Sequence, residues 1–223
     1  MKKKVWVFHL LNDFSGSPLV LKNTVLALKD DAEVTICTSE GSGFLSNIDD
    51  VEYNRITYHW SPKKIVTLIR FFIVQVSLFF LIVKNRRSIN VVFVNTLLPF
   101  GAALGGYFCK KKVIYHMHEP QIKPILLFNL LNFIADKTSN QVFFVSDYLR
   151  RCFPKLAVRG SVLPNVLNNE FIDTIKTIDN EKKVTVLMLC SFKEYKGIHD
   201  FVELAKLNPN RKFELVLNSS QEY

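Results

Sequence analysis

Short runs of β-branched and aromatic residues recur along this chain with longer helical stretches between them, and that alternation restricts the fold more than any single residue does. The runs at 4–10, 32–38, 51–57, 90–96, 112–118, 140–146 and 160–165 read as strands. Several are apolar at consecutive positions, as strands covered on both faces are. Helical patterns occupy 18–29, 63–86, 99–109, 122–137 and 147–153. Pro18 suits the first turn of its helix, where the missing N–H is not needed. The repetition implies an α/β fold with a mostly parallel, Rossmann-like sheet and helices on both faces. It breaks over the polar residues 168–183, then restarts with a strand at 184–190, a helix at 197–207 and a strand at 212–217. A boundary is therefore expected near 179–183, dividing the chain into 1–179 and 180–223. One βαβ unit has too little core to be stable alone, so the second part reads as the opening of a larger domain, or as a unit docked on the first.

The chain carries 29 basic and 20 acidic side chains, a net charge of +9. Ten basic residues fall between Tyr53 and His118, where there is no Asp or Glu; elsewhere 19 basic side chains balance 20 acidic ones. A single-sign field of this kind suits a polyanionic partner, nucleic acid or anionic lipid. No helix-turn-helix, zinc-finger or RNA-stacking pattern accompanies it, and the charge surrounds an apolar helix, which argues against nucleic acid. That helix, residues 65–83, contains Arg70 and Gln75 and is flanked by Lys63, Lys64, Lys84, Arg86 and Arg87. Its length fits a bilayer. A mid-membrane arginine is costly, basic flanks at both ends give no orientation, and a span would split the sheet. Three arrangements stay open: a span, a buried helix, or a helix with one face on the core and the other on an anionic membrane surface. The basic flanks favour the last.

The basic N-terminus leads into an apolar run that stops at Asn12-Asp13, a first strand rather than a signal peptide. Cys37, Cys109, Cys152 and Cys190 are far apart and form no CxxC. They read as buried, reduced thiols in a cytoplasmic protein rather than a disulfide framework or zinc site.

Three places carry candidate chemistry. Gly16 and Ser17 lie in NDFSGSP (12–18), where the first strand turns into a helix. A glycine there lets a ligand approach the backbone, and the helix N-terminus favours an anion; a plain turn uses the same residues. The pattern is not GxGxxG, so the nicotinamide fingerprint is not met. His116 and His118 in VIYHMHEP (113–120) are read as facing opposite sides of their strand, and so as unsuited to sharing a metal. His118 falls at the carboxyl end of a parallel strand, where open α/β sheets place ligands; a core or loop histidine is the alternative. Glu119 is either a polar cleft residue or an ordinary acid before Pro120. Lys196 and Gly197 open a helix. A lysine there is unfavourable for the helix dipole unless an anion offsets it, which points to a diphosphate, with a solvated lysine as the alternative.

Four segments, in this order, resemble the family 4 glycosyltransferases and together run through nearly the whole chain: NDFSGSP, VIYHMHEP, FFVSDYLRRCF (143–153) with VLPNVLNNEF (162–171), and VLMLCSFKEYKGIHDFVELAK (186–206). The resemblance implies a GT-B fold, two facing Rossmann-like domains of which 1–179 is the acceptor side and 180–223 opens the donor side. It implies transfer of a sugar from a nucleotide-sugar to a lipid-linked or saccharide acceptor in cell-envelope polysaccharide or glycolipid synthesis. Anomeric configuration is retained, with no cofactor and no metal. It sets His118 beside the donor sugar, Gly16, Ser17, Glu119 and Asn165 in the cleft, and Lys196 and Gly197 on the diphosphate. Gly16 and His118 are expected to share one concavity, with Lys196 facing it. The family's loop arginine is missing from Cys190-Ser191-Phe192, Val166 stands where a glycine commonly follows Asn165, and the paired glutamates of the donor half belong beyond residue 223. The chain alone is therefore expected to be inactive. A non-catalytic, membrane-docking subunit whose partner chain supplies the donor half is the second reading. Either way the protein is expected at the cytoplasmic membrane face.

Overall fold

The computed structural model describes residues 2–58, 61–167, 169–177, 185–192 and 196–218. The chain divides into two units, Met1–Asn168 and Asn169–Tyr223. The boundary expected near 179–183 lies outside the described residues.

The first unit runs β1 (Lys3–Phe8), α1 (Gly16–Leu28), β2 (Ala32–Ser39), β3 (Glu52–Ile56), α2 (Lys64–Lys84), β4 (Val91–Asn95), α3 (Phe100–Phe108), β5 (Lys112–Met117), α4 (Ile125–Thr138), β6 (Gln141–Phe144), α5 (Asp147–Cys152), α6 (Pro154–Ala157) and β7 (Gly160–Val162). Among the described residues these strands form one sheet in the order β3-β2-β1-β4-β5-β6-β7, every pair parallel. This is the Rossmann-like α/β fold read from the alternation. Successive strand residues point to opposite faces. Trp6 and Phe8 enter one core with side chains of α2, α3 and α4, while Val5 and Val7 enter a second with Leu21 and Val25 of α1. Burial on both sides is why the strands read as continuous apolar runs. The strand order reverses between β1 and β4, and open sheets of this kind place ligands at such a switch point, outside the carboxyl ends.

Helix α2 is apolar on nearly every side but only one side of it is buried. Phe71, Val74, Gln75, Leu78 and Ile82 face the core, while Ile65, Ile69, Phe72, Ile73, Val76 and Phe80 are exposed. Residues three and four apart share a helix face, which gives these two stripes. Gln75, a break in the apolar run, ties two helices together. Its Oε1 accepts from the Gly101 N–H at 2.8 Å, at the start of α3. The helices meet so closely there that a Cβ on Gly101 would lie 2.0 Å from the Gln75 carbonyl oxygen. Gly101→Ala is expected to force the helices apart and cost about 1–3 kcal/mol, measured as a lower urea midpoint at unchanged m-value. An unchanged midpoint would contradict this packing.

The second unit holds α7 (Asn169–Thr177), β8 (Thr185–Ser191), α8 (Ile198–Leu207) and β9 (Lys212–Asn218), with β8 and β9 parallel. Helix α7 falls in the stretch that reads from sequence as a polar break. Among the described residues of this unit only Ile198 is buried, as expected of a two-stranded unit with little core. The four cysteines are free thiols, but only Cys37 is buried; Cys109 and Cys190 are half-buried and Cys152 is exposed. The expectation of four buried thiols fails because the last three lie at element ends or in the thin second unit.

Candidate functional site

At the switch point the strand ends converge on one amide. Asn95, the last residue of β4, is fully buried. Its Nδ2 lies 3.1 Å from Nδ1 of His9, just past β1, and donates at 3.2 Å to the carbonyl of Ser17 in α1. Its Oδ1 lies 2.9 Å from Nε2 of His118, just past β5. The Ser17 carbonyl can only accept, so the amide nitrogen faces it and the amide oxygen faces His118. Nε2 of His118 therefore carries a proton, and Nδ1 of His9 is a bare acceptor. One residue beyond, Thr96 has φ 69°, a left-handed conformation that a β-branched residue adopts only when its surroundings impose it. Its N–H is held by the His116 carbonyl at 2.8 Å, and its Oγ1 accepts from Leu98 N at 3.2 Å. Such strain beside buried polar groups is characteristic of sites that position a ligand.

All three histidines at this corner are neutral at pH 7. Burial holds His9 down at about 4, against smaller opposing effects of its bond to Asn95 and the charge of Asp13. Burial likewise holds His116 at about 4. His118 falls to about 3, first through burial, then through His116 and His9. His118 is only partly buried, and Asn95 is its hydrogen-bond partner, held through Nε2. Its Nδ1 offers a lone pair, so it can accept a hydrogen bond from a ligand hydroxyl and has no proton there to donate.

His116 and His118 are not on opposite faces. Their ring centroids are 4.5 Å apart, because residues two apart on a strand point the same way. The separation rests on depth instead: His116 is sealed against Phe93 and Phe143, with both ring nitrogens unpartnered among the described residues.

The other candidates fall as follows. Ser17 contributes its main-chain carbonyl, so the start of α1 and the end of β5 meet at Asn95. A Cβ on Gly16 would meet open space, so the protein's own packing does not demand glycine there. The Ser15 side chain does not cap α1; it donates to Asp13 at 2.5 Å instead. Glu119 is half-buried, and burial raises its carboxyl pKa. Asn165 is exposed in the stretch after β7. In the second unit, Gly197 has φ 78° at the N-cap of α8, a conformation that favours glycine; Lys196 beside it is exposed. Lys63, Arg70, Lys84, Arg86 and Arg87 are exposed on and around α2, which Lys64 opens. His9 and Asn95 are not singled out by the sequence reading, although each is a polar residue ending an apolar strand, the signal that marks His118.

No protein-family model matches the sequence, and no curated protein does. Solved structures share the fold. The UDP-N-acetylglucosamine 2-epimerase of Rickettsia bellii superposes with a TM-score of 0.65 at 11% identity, covering 98% of this chain and 62% of that one. Anabaena Alr3699/HepE in complex with UDP and glucose gives 0.62 at 14%, covering 97% and 61%. MurG of Acinetobacter baumannii gives 0.58 at 10%, covering 99% and 59%. The chain thus spans about three fifths of the length of these structures.

Proposed function

We propose that this chain belongs to a retaining glycosyltransferase of the family 4 type. It moves a sugar from a nucleotide-sugar to a lipid-linked or saccharide acceptor of the cell envelope, at the cytoplasmic membrane face. The observation that carries the reading is the Asn95-centred knot at the switch point, which leaves a neutral His118 with an open Nδ1 lone pair. A sugar hydroxyl is the natural donor to such an acceptor. The likeness of fold to HepE, solved with UDP and glucose, supports the nucleotide-sugar. The exposed apolar face of α2, with basic residues around it, supports the membrane. In this reading Lys196 and the α8 N-terminus meet the diphosphate, whose departure develops the charge that most needs stabilising; Asp200 in the first turn of α8 works against that anion. The non-catalytic reading, with a partner chain supplying the donor half, draws on the bare apolar side chains Leu187, Leu189 and Val216 of β8 and β9.

The test is saturation-transfer NMR of the 223-residue chain with a panel of UDP- and GDP-sugars. Saturation is expected on sugar-ring protons as well as on the nucleotide. His118→Ala should weaken binding about fivefold, the worth of one ordinary hydrogen bond. Absence of binding across the panel, or an unchanged sugar signal in His118→Ala, would overturn the reading.

A further inference from the structure

An apolar groove of about 1050 Å³ opens at the exits of β3, β4 and β5, on the same edge of the sheet as the Asn95 knot. Tyr58 and Pro62 line it on one side, Ile122 and Leu127 on another, and Ile65 and Leu68 from the first turns of α2. Leu98 contributes from the exit of β4, at the far end of the strained turn that begins at Thr96. The volume is that of a small-molecule site, typically about 300–1,000 Å³, and its lining is mainly apolar; Ser61, Thr67, Gln121 and Lys123 are the polar exceptions besides the Tyr58 hydroxyl, and the Thr67 hydroxyl is already given to the Ser61 carbonyl. Two further features bear on the occupant. Ile65 and Leu68 both line the groove and belong to the exposed apolar face of α2, which continues through Ile73, Val76 and Phe80. The groove is therefore an inlet from that face. Among the described residues the one charged side chain of its lining is Lys123, and Lys63 stands exposed beside Pro62, where α2 begins without an acidic residue in its first turn.

We propose that this groove binds the hydrocarbon chain of an anionic lipid phosphate drawn from the membrane, with the phosphate at its mouth against Lys123 and Lys63. The proposal deepens the reading of a membrane-held acceptor, and rests on it, by naming the class of acceptor: a lipid carrying its saccharide through a phosphate. The groove takes the chain, and the shared strand exits set the head group on the side of the sheet where His118 stands. A flat membrane contact needs no such recess, since the exposed stripe of α2 already supplies one. A polar saccharide acceptor would leave the recess empty and its apolar lining wet.

Titration calorimetry of the 223-residue chain with dodecyl phosphate, below its micelle threshold, tests this. Saturable one-to-one binding is expected. Decyl phosphate should bind roughly fifteenfold more weakly, because each buried methylene is worth about a factor of four. Leu68→Asp should weaken dodecyl phosphate at least tenfold, and Ile65→Asp, at a more exposed position, should act in the same direction. Phe80→Asp, further along α2, should leave this binding unchanged while reducing sedimentation with anionic phosphatidylglycerol vesicles. Several results would overturn the proposal. One is no saturable binding; another is equal loss in Leu68→Asp and Phe80→Asp, which marks general adsorption to the apolar face. A third is inorganic phosphate binding as tightly as dodecyl phosphate. The last is a dimer broken by Leu68→Asp without lipid binding, which gives the groove to a second copy. Nucleotide-sugar binding at His118 is measured separately, so failure of either result leaves the other interpretable.

Discussion

Lowering the pH from 7 to 5 is expected to remove roughly 4–6 kcal/mol from the stability of the first unit, a large part of the 5–15 kcal/mol typical of a folded domain. Three histidines are responsible. In the unfolded chain each titrates near 6.5, whereas in the fold His9 and His116 are held at about 4 and His118 at about 3. Between those values the unfolded state binds the proton and the folded state does not. Stability is therefore fully present above pH 6.5, falls as the pH drops through the window, and stops falling from this cause below about 3. Each histidine contributes on the order of 2 kcal/mol between pH 7 and 5. Glu119, whose carboxyl is raised by burial, offsets part of the loss in the more acidic range. Urea unfolding at a series of pH values measures the slope. His116→Phe separates one share of it: both nitrogens of His116 lack partners among the described residues, so an apolar ring of similar shape should be neutral or stabilising at pH 7. That variant should lose about a third of the acid sensitivity. Equal stability at pH 7 and 5, or full sensitivity in His116→Phe, would contradict the burial described.

The part of the fold legible in the sequence is the part governed by local period. Strands β1, β2, β4 and β5 are visible because burial on both faces leaves consecutive apolar residues, and α1 and α3 to α5 because their lengths and bounding residues fit helices. Helix α7 is hidden by its charge; Phe171, Ile172 and Ile175 carry a helical spacing, but all three are exposed, so the core-seeking pattern is faint. The face of α2 that meets the core cannot be read from 65–83 alone, because nearly every residue there is apolar. Only the position of α3 shows that Gln75 is a partner of Gly101 rather than a break. At the site, His118 is legible from its place at a strand end. Its actual partner, Asn95, is 23 residues away on the neighbouring strand, and the tautomer it imposes depends on the carbonyl of Ser17, a contact that only the tertiary fold creates.

That amide carries the second large expectation. Asn95→Asp places a carboxylate about 3 Å from both His9 Nδ1 and His118 Nε2. An opposite charge so close raises an imidazole pKa by on the order of 1–3 units, which brings His118 back toward the range where it protonates in solution. Protonation occurs at Nδ1, the position that otherwise holds the lone pair. The group facing the ligand changes from acceptor to donor, and the Ser17 carbonyl loses its partner. Nucleotide-sugar affinity should fall by up to about tenfold at pH 5, the full shift bringing His118 to about 6, and recover toward pH 8, where the imidazole is again neutral. Wild-type binding should show no such recovery, since its His118 is neutral throughout that range. Calorimetric titration of both proteins at pH 5 and 8 measures the contrast, and a uniform loss at both pH values would indicate damage to the fold instead.

The most direct measurement is ¹⁵N NMR of the His118 ring, assigned by comparison with His118→Ala. The expected spectrum at pH 7 shows a protonated Nε2 and a pyridine-like Nδ1, unchanged down to pH 5, with the Nδ1 resonance alone moving toward its hydrogen-bonded position when nucleotide-sugar is added. A proton on Nδ1, ordinary titration near pH 6.5, or an Nδ1 signal indifferent to every nucleotide-sugar tried would contradict the assignment of this corner as the sugar site.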